Sequence, residues 1–449
     1  MTIDLLKFFQ RTNPSRTLRV NQLSDIKYYI DFSQVRGGDI IGKLKQKITF
    51  FKPNEPTCTL LTGHIGCGKS TELLRLQVEL EALNFHVVYF ESSEDLEMTD
   101  VDIVDVLLAI AHRVSQSLEK IPLEEASKLN QLLQGALKVL NSEVTGLKVK
   151  TPIGDVGLSM NKDKFSLALG IGEIISQMKS DPILRQKLNQ YLSPQKTRLL
   201  EAINRELLEP AIAKLKQQGK KGLVVIVDNL DRIDNRIKPW GRPQQEYLFV
   251  DQGELLTKLN CHLVFTMPFA LKFSNDYGTL TQRFPEDPKV LPMVPVQWSD
   301  GSVHQQGMAL MQQMVLARAF PDLQPDERLS QITDIFDSVT TLERLCSLSG
   351  GHVRDLLRLL NIWIQEEMKL PLSRSILEQV VRARKNEMTM PISDEEWQLL
   401  RDVKHNKKVS NGQGYQKLIR SRFVFEYRDG GESWFDVNPI LAEARELSG

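Results

Sequence analysis

The chain has 449 residues, 41% of them hydrophobic and 25% charged, a balance that excludes bulk disorder and suits two to four domains. Its 57 Lys and Arg are matched by 57 Asp and Glu. A net charge of zero excludes a polyelectrolyte that binds nucleic acid or membrane with its whole surface, although it leaves room for a local basic face.

The four cysteines (Cys58, Cys67, Cys261, Cys346) lie far apart with no CxxC pair, and none of the seven histidines falls in an HExxH pattern. That spacing reads as reduced thiols and gives no reason to place a zinc ion. The N-terminus carries an acid and no long apolar run, and no stretch approaches the ~20 apolar residues that cross a bilayer. The expectation is a cytoplasmic protein with no membrane partner.

Residues 1–50 read as a lead-in, with an apolar cluster at Leu5–Phe9, a turn at Asn13-Pro14, and a helical pattern over Asp39–Phe50. From about residue 57 short apolar runs alternate with helical spacing: Thr57–Thr62, His86–Phe90, Leu223–Val227, His262–Thr266 and Val290–Val296, the last an edge strand because of its two prolines. Val- and Ile-rich runs of this length predict a five-stranded parallel sheet covered on both faces, an α/β fold. About 130 residues separate the second and third runs. A plain crossover needs only a dozen or more. An insertion over about 100–220 is therefore expected on one edge of the core, helical over 101–140 and 183–218, with a β-hairpin over 146–172. Residues 297–385 carry helical spacing. Residues 386–449 give helices at Asp394–Lys404 and Gln413–Ser421, then two short strands around Asp429-Gly430-Gly431, the element order of a winged helix. The expected domains are 1–50, 51–296, 297–385 and 386–449.

The strongest chemical signal is Gly63-His64-Ile65-Gly66-Cys67-Gly68-Lys69-Ser70, a full GxxxxGK[ST] between an apolar strand and the helical pattern opening at Thr71. Glycines let the backbone curl so that its N–H groups face the phosphates of a nucleotide, and the helix adds its positive end. Lys69 is expected to reach the β- and γ-phosphates, and Ser70 to offer its hydroxyl to Mg²⁺. This is the Walker A element. Its Walker B partner is the run Leu223–Val227, which closes on Asp228, a second Mg²⁺ ligand at the carboxyl edge of the sheet. Behind it come Asn229, which can orient water but cannot take its proton, and Asp231, which can if the loop turns it inward.

These motifs resemble the AAA+ class of P-loop NTPases, within it the branch of origin-recognition-type ATPases and STAND signalling NTPases, over residues 30–449. The resemblance implies an ATP- and Mg²⁺-dependent ATPase with a helical lid and a C-terminal winged helix. It implies Thr266 as the sensor 1 residue, Arg283 as an arginine finger acting on a second copy, and Arg354, in Gly350-Gly-His-Val-Arg354, as the sensor 2 residue. It also implies Arg36 and Gly37 as contacts of the adenine. Asn229 in place of the usual acid and Thr266 in place of the frequent Asn imply slow turnover, so the function expected is a slowly hydrolysing molecular switch in bacterial signalling or defence. Self-association or a separate effector protein would be its partner. The alternatives are an initiator-like ATPase that loads on DNA and a scaffold that binds nucleotide without hydrolysis. Residues 401–430 hold a surplus of five cations for DNA contact, diluted by Asp394, Glu395, Glu396, Glu443 and Glu446.

Overall fold

Five strands form one sheet in the computed structural model, which describes residues 3–119, 126–141, 167–429 and 431–447. They are β1 (Thr57–Thr62), β2 (His86–Glu91), β3 (Leu223–Asp228), β4 (His262–Met267) and β5 (Lys289–Val290), in the order β2-β3-β4-β1-β5. Each neighbouring pair is parallel. Every residue of β1, β3 and β4 is buried, the pattern of central strands covered on both faces.

The fifth strand is shorter than expected. Only Lys289 and Val290 pair with β1; beyond them the backbone N–H of Leu291 still reaches Thr62, but that of Met293 bonds Glu426 in the C-terminal region. Pro292 and Pro295 have no N–H to give a ladder, so the chain peels away from the sheet.

The two faces are covered by different parts of the chain. On one, Leu61, Val224, Ile226 and Val264 pack with Leu73, Leu76 and Leu80 of the helix Lys69–Ala82 and with Ile41, Leu44 and Ile48. The expected helix over Asp39–Phe50 forms as Ile40–Gln46, capped by the Asp39 side chain, and continues as a π turn over Lys47–Phe51. The other face (Cys58, Leu60, Val225, Val227, Leu263, Phe265) is covered by the insertion. Its helices Ile103–Ser117, Ser127–Asn141, Leu167–Ser180 and Pro182–Leu192 precede a helical rod that runs from Lys196 to Gln217 through a π turn at Asn204–Leu208. The insertion thus covers a face of the sheet rather than only its edge. Of the hairpin expected over 146–172, residues 146–166 lie outside the described residues, and 167–172 belong to a helix. Leu167-Ala-Leu-Gly-Ile-Gly reads as alternation, but Ile171, Ile174, Ile175 and Met178 bury at helical spacing.

The C-terminal half shares one apolar cluster. It includes Met311 of the helix Gln305–Ala319, Leu345 of Val339–Leu348, Trp363 of Val353–Glu367, Leu377 of Arg374–Thr389 and Leu400 of Asp394–Asn406. Phe8 of the N-terminal helix Leu5–Arg11 joins them. Burial of one such side chain contributes about 1.5–3 kcal/mol. After the helix Gln413–Arg420 come β6 (Val424–Asp429) and β7 (Glu432–Val437), an antiparallel pair in the expected order of helix, helix, hairpin. Phe425, Tyr427 and Trp434 of this pair pack on the first face of the core, which brings the C-terminus against the carboxyl edge of the sheet.

Candidate functional site

The glycine-rich loop leaves β1 with positive φ at Gly63, Gly66 and Gly68. Gly66 (φ 95°) is held there by contact as well as by conformation, since a Cβ would stand 2.8 Å from His352 Cε1 and 2.9 Å from Arg354 Cβ. Gly68, in the left-handed region, caps the helix Lys69–Ala82. Lys69, 5% exposed, donates to the Gly63 and His64 carbonyls at 2.9 Å each and pairs with Asp231 Oδ2 at 2.9 Å. Burial disfavours its charge, but the Asp231 carboxylate, with Asp228 behind it, outweighs that and raises the ammonium pKa.

Ser70 opens the helix beside Asp228, close enough for its side chain to lower the carboxyl pKa. Asp228 accepts from the Tyr89 hydroxyl at 2.8 Å and from the Asn229 N–H at 2.7 Å. Burial, then the neighbouring Asp231, lifts its pKa above the ordinary carboxylate value. A serine hydroxyl and a carboxylate side by side are the hard oxygen donors that Mg²⁺ takes, so the donor set fits that ion. Asn229 stands in the left-handed region (φ 60°) and donates its amide to Glu91 at 2.6 Å. Thr266 is fully buried; its hydroxyl accepts from the Asp231 N–H at 3.4 Å, so it braces the 229–232 loop from beneath.

A second wall comes from the C-terminal half. The Arg354 N–H donates to the Gly66 carbonyl at 3.2 Å. His352 caps its helix by accepting from the Asp355 N–H at 3.0 Å on Nδ1, which leaves Nε2 to donate to the Ile65 carbonyl at 2.9 Å. His64 Nε2 accepts from the Glu426 N–H of β6 at 3.1 Å. Three successive loop residues are therefore tied to the C-terminal half. Burial drives the pKa of His64 well down and lowers that of His352. The Arg354 guanidinium pKa is lowered by burial and then by Arg232, Arg422 and Arg358.

Between the walls lies a narrow cleft of about 60 Å³, lined by Pro14, Arg16 and Thr17, by Ile65, Gly66 and Gly68–Thr71, by Asn229, Asp231 and Arg232, and by Val353, Arg354 and Leu357. Of the residues expected at the site, Ile65, Gly66, Gly68–Thr71, Asn229, Asp231 and Arg354 line the cleft; Gly63, His64, Asp228 and Thr266 are buried behind its wall, and three others lie away from it. Arg36 is buried and donates to the Cys67 carbonyl at 2.8 Å, so it holds the loop from outside the cleft. Cys67 turns its Sγ toward the Leu291 carbonyl, 3.6 Å away. Arg283 ends the helix Tyr277–Arg283, faces solvent and pairs with Glu254 at 3.7 Å. Sequence reasoning missed Pro14–Thr17, Tyr89, Glu91, Arg232 and the role of His352. Glu91 carries a signal in hindsight: it ends β2 as Asp228 ends β3, and the two are register partners.

The model of the KAP family P-loop domain matches residues 39–237. No curated protein matches the chain. Among solved structures, a Walker-type ATPase of Pyrococcus abyssi is 11% identical over 97% of this chain and 99% of its own, with a TM-score of 0.40. The ORC2 protein of Aeropyrum pernix, solved with ADPNP and ADP, is 11% identical over 98% and 95%, with a TM-score of 0.39. Cdc6p of Pyrobaculum aerophilum is 10% identical over 94% and 97%, with a TM-score of 0.36. Among the described residues no helix is long and apolar enough to cross a membrane.

Proposed function

We propose that this P-loop NTPase binds ATP with Mg²⁺ in the cleft and hydrolyses it slowly. In this reading it acts as a switch of the origin-recognition/STAND-like kind, with 297–385 as its lid and 386–449 as a winged helix. Ser70 and Asp228 would hold the metal, which when bound offsets phosphate charge. Lys69 exchanges Asp231 for the phosphates, and Arg354 closes on them from the lid. Backbone N–H groups of the loop orient the chain of phosphates, and the lid excludes water from it. The base would lie toward Pro14–Thr17 and Leu357.

The observation that carries the reading is the set of ties at His64, Ile65 and Gly66. Each bonds the lid or β6, so a phosphate that reshapes the loop must also reset the C-terminal half. The narrowness of the cleft favours the same coupling, because small-molecule sites of about 300–1,000 Å³ are usual and the lid must move to admit a nucleotide. The test is hydrogen exchange with and without ATP–Mg²⁺. Changed protection at Glu426 and over 350–354 is expected, and a K69A variant should show neither change. Identical exchange at saturating ATP would sink the switch.

The basic stretch 401–430 favours internal docking over DNA. Lys407 pairs with Asp436, Lys417 with Glu396, Arg422 with Asp355 and Arg428 with Glu426, while Arg401 and Lys404 donate to carbonyls of the C-terminal segment. The effector, on this reading, is a separate protein or a second copy.

A further inference from the structure

Hydrolysis of a phosphoanhydride is helped by a carboxylate that takes a proton from the attacking water. The two aspartates at the cleft are already committed. Asp228 is 1% exposed and holds bonds from Tyr89 and the Asn229 N–H. Asp231 forms the buried ion pair with Lys69. Asn229 has no proton-accepting nitrogen, and its amide is neutral.

One further carboxylate stands at the same edge of the sheet. Glu91 is the register partner of Asp228, so its Cα lies about 4.8 Å from that residue's, the ordinary spacing of neighbouring strands. It is half-buried, and among the described residues its one side-chain hydrogen bond comes from the Asn229 amide, which itself lines the cleft. The left-handed backbone at Asn229, a conformation that asparagine tolerates better than most residues, lets this amide reach across to β2.

We propose that Glu91 is the catalytic carboxylate of ATP hydrolysis and Asn229 the positioning residue that holds it one hydrogen bond behind the cleft wall. The proposal rests on the reading of the cleft as an ATP site. In the step, Glu91 takes a proton from water as the water oxygen bonds the γ-phosphorus. The bond from that phosphorus to the β–γ bridging oxygen breaks with its electron pair going to ADP, and the proton then leaves Glu91 for solvent. Nucleophile activation thus comes from the strand beside the one that carries Asp228.

The experiment combines ATP titration calorimetry, single-turnover hydrolysis and the nucleotide content of desalted protein. Glu91→Gln keeps an acceptor for the Asn229 amide but removes the charge. It should bind ATP within about threefold of wild type, slow the chemical step about 10²–10⁴-fold and emerge from desalting loaded with ATP where wild type holds ADP. Asn229→Ala removes the donor that holds Glu91, so it should slow the step with ATP affinity within about threefold of wild type. The exchanged pair E91Q/N229D keeps both side-chain lengths and returns a carboxylate opposite an amide; it should exceed E91Q alone by at least about tenfold, and the Asn229→Ala split of rate from affinity carries the test should E91Q fail to fold. Hydrolysis by E91Q within about threefold of wild type, hydrolysis by Asn229→Ala at the wild-type rate, or an exchanged pair no faster than E91Q would overturn the assignment. So would a wild-type protein that binds ATP and releases no phosphate, a result that leaves nucleotide binding standing. No ATP binding by wild type would remove both.

Discussion

The two walls of the cleft are built on opposite electrostatic terms. On the core wall the charged groups are tied to one another and to the backbone: Lys69 sits between two carbonyls and Asp231, and Asp228 accepts from Tyr89 and the Asn229 N–H. On the helical wall Arg354, Arg358 and Arg422 gather around one carboxylate, Asp355, and each other's charge lowers the Arg354 pKa further than burial alone. The first wall is closed on itself by an ion pair and hydrogen bonds. The second holds surplus positive charge that an anion would relieve. In the proposed reading, a polyphosphate arriving between them displaces Asp231 from Lys69 on one wall and relieves the crowded cations on the other.

The largest expected effect comes from breaking the ion pair of the core wall. Lys69→Ala removes the phosphate cation and leaves Asp231 buried without a partner. ATP affinity should fall by at least about 100-fold, or about 3 kcal/mol, in calorimetry. The melting temperature should fall as well, and K69A/D231A should recover the melting temperature but not the affinity. If K69A binds ATP normally, the core wall is not a phosphate site.

A smaller effect tests the junction between the walls. His64 and His352 have folded pKa values below the ordinary 6.5 because both are fully buried. A depressed folded pKa gives stability that is present above the unfolded value and lost as pH falls. Below about pH 6.5 the unfolded chain takes up protons that the folded chain refuses, so unfolding becomes easier. Between pH 7 and 5.5 denaturant midpoints should therefore fall, with both rings contributing. His262, held down to about 4 by burial, adds a background remote from the cleft. The proper comparison is therefore with H64N/H352N, in which asparagine keeps a capping acceptor. A double variant as acid-sensitive as wild type would show that the junction does not carry the effect.

Arg354→Ala sharpens the contrast from the other side. It removes one of the crowded cations, so affinity for ATP should fall only about tenfold, about 1.4 kcal/mol, with a smaller loss for ADP. Equal losses for both nucleotides would mean that Arg354 does not meet the terminal phosphate.

The core wall was legible in the sequence because its residues are consecutive. Gly63–Ser70 carries its own geometry, and a buried apolar run ending in Asp228 implies a carboxyl-edge acid. The strands β1 to β4 were equally plain, since each is a short run rich in apolar and β-branched residues bounded by turn or helix signals. The helical wall was legible only as Arg354. Its supports, His352 and Arg422, are brought together by tertiary packing that no local period encodes, and the Glu91–Asn229 pair needs a register between strands that lie more than 130 residues apart in the chain. The fifth strand was overextended because apolar content suggested pairing where Pro292 and Pro295 withhold donors. Arg36, expected against the adenine, instead meets the Cys67 carbonyl from outside the cleft.

The smallest effect concerns an arginine outside both walls. Arg283 is exposed, and among the described residues its one ion pair is with the exposed Glu254, so within one chain it adds nothing to the cleft. R283E should therefore bind ATP within about twofold of wild type at low protein concentration. Its reach toward a second copy is a separate matter, read from the dependence of hydrolysis on protein concentration. If a second chain completes the helical wall, wild-type turnover per protomer should rise with concentration while R283E stays flat. If both stay flat, the surplus charge of Arg354, Arg358 and Arg422 is enough on its own, and the contrast between the walls belongs to the single chain.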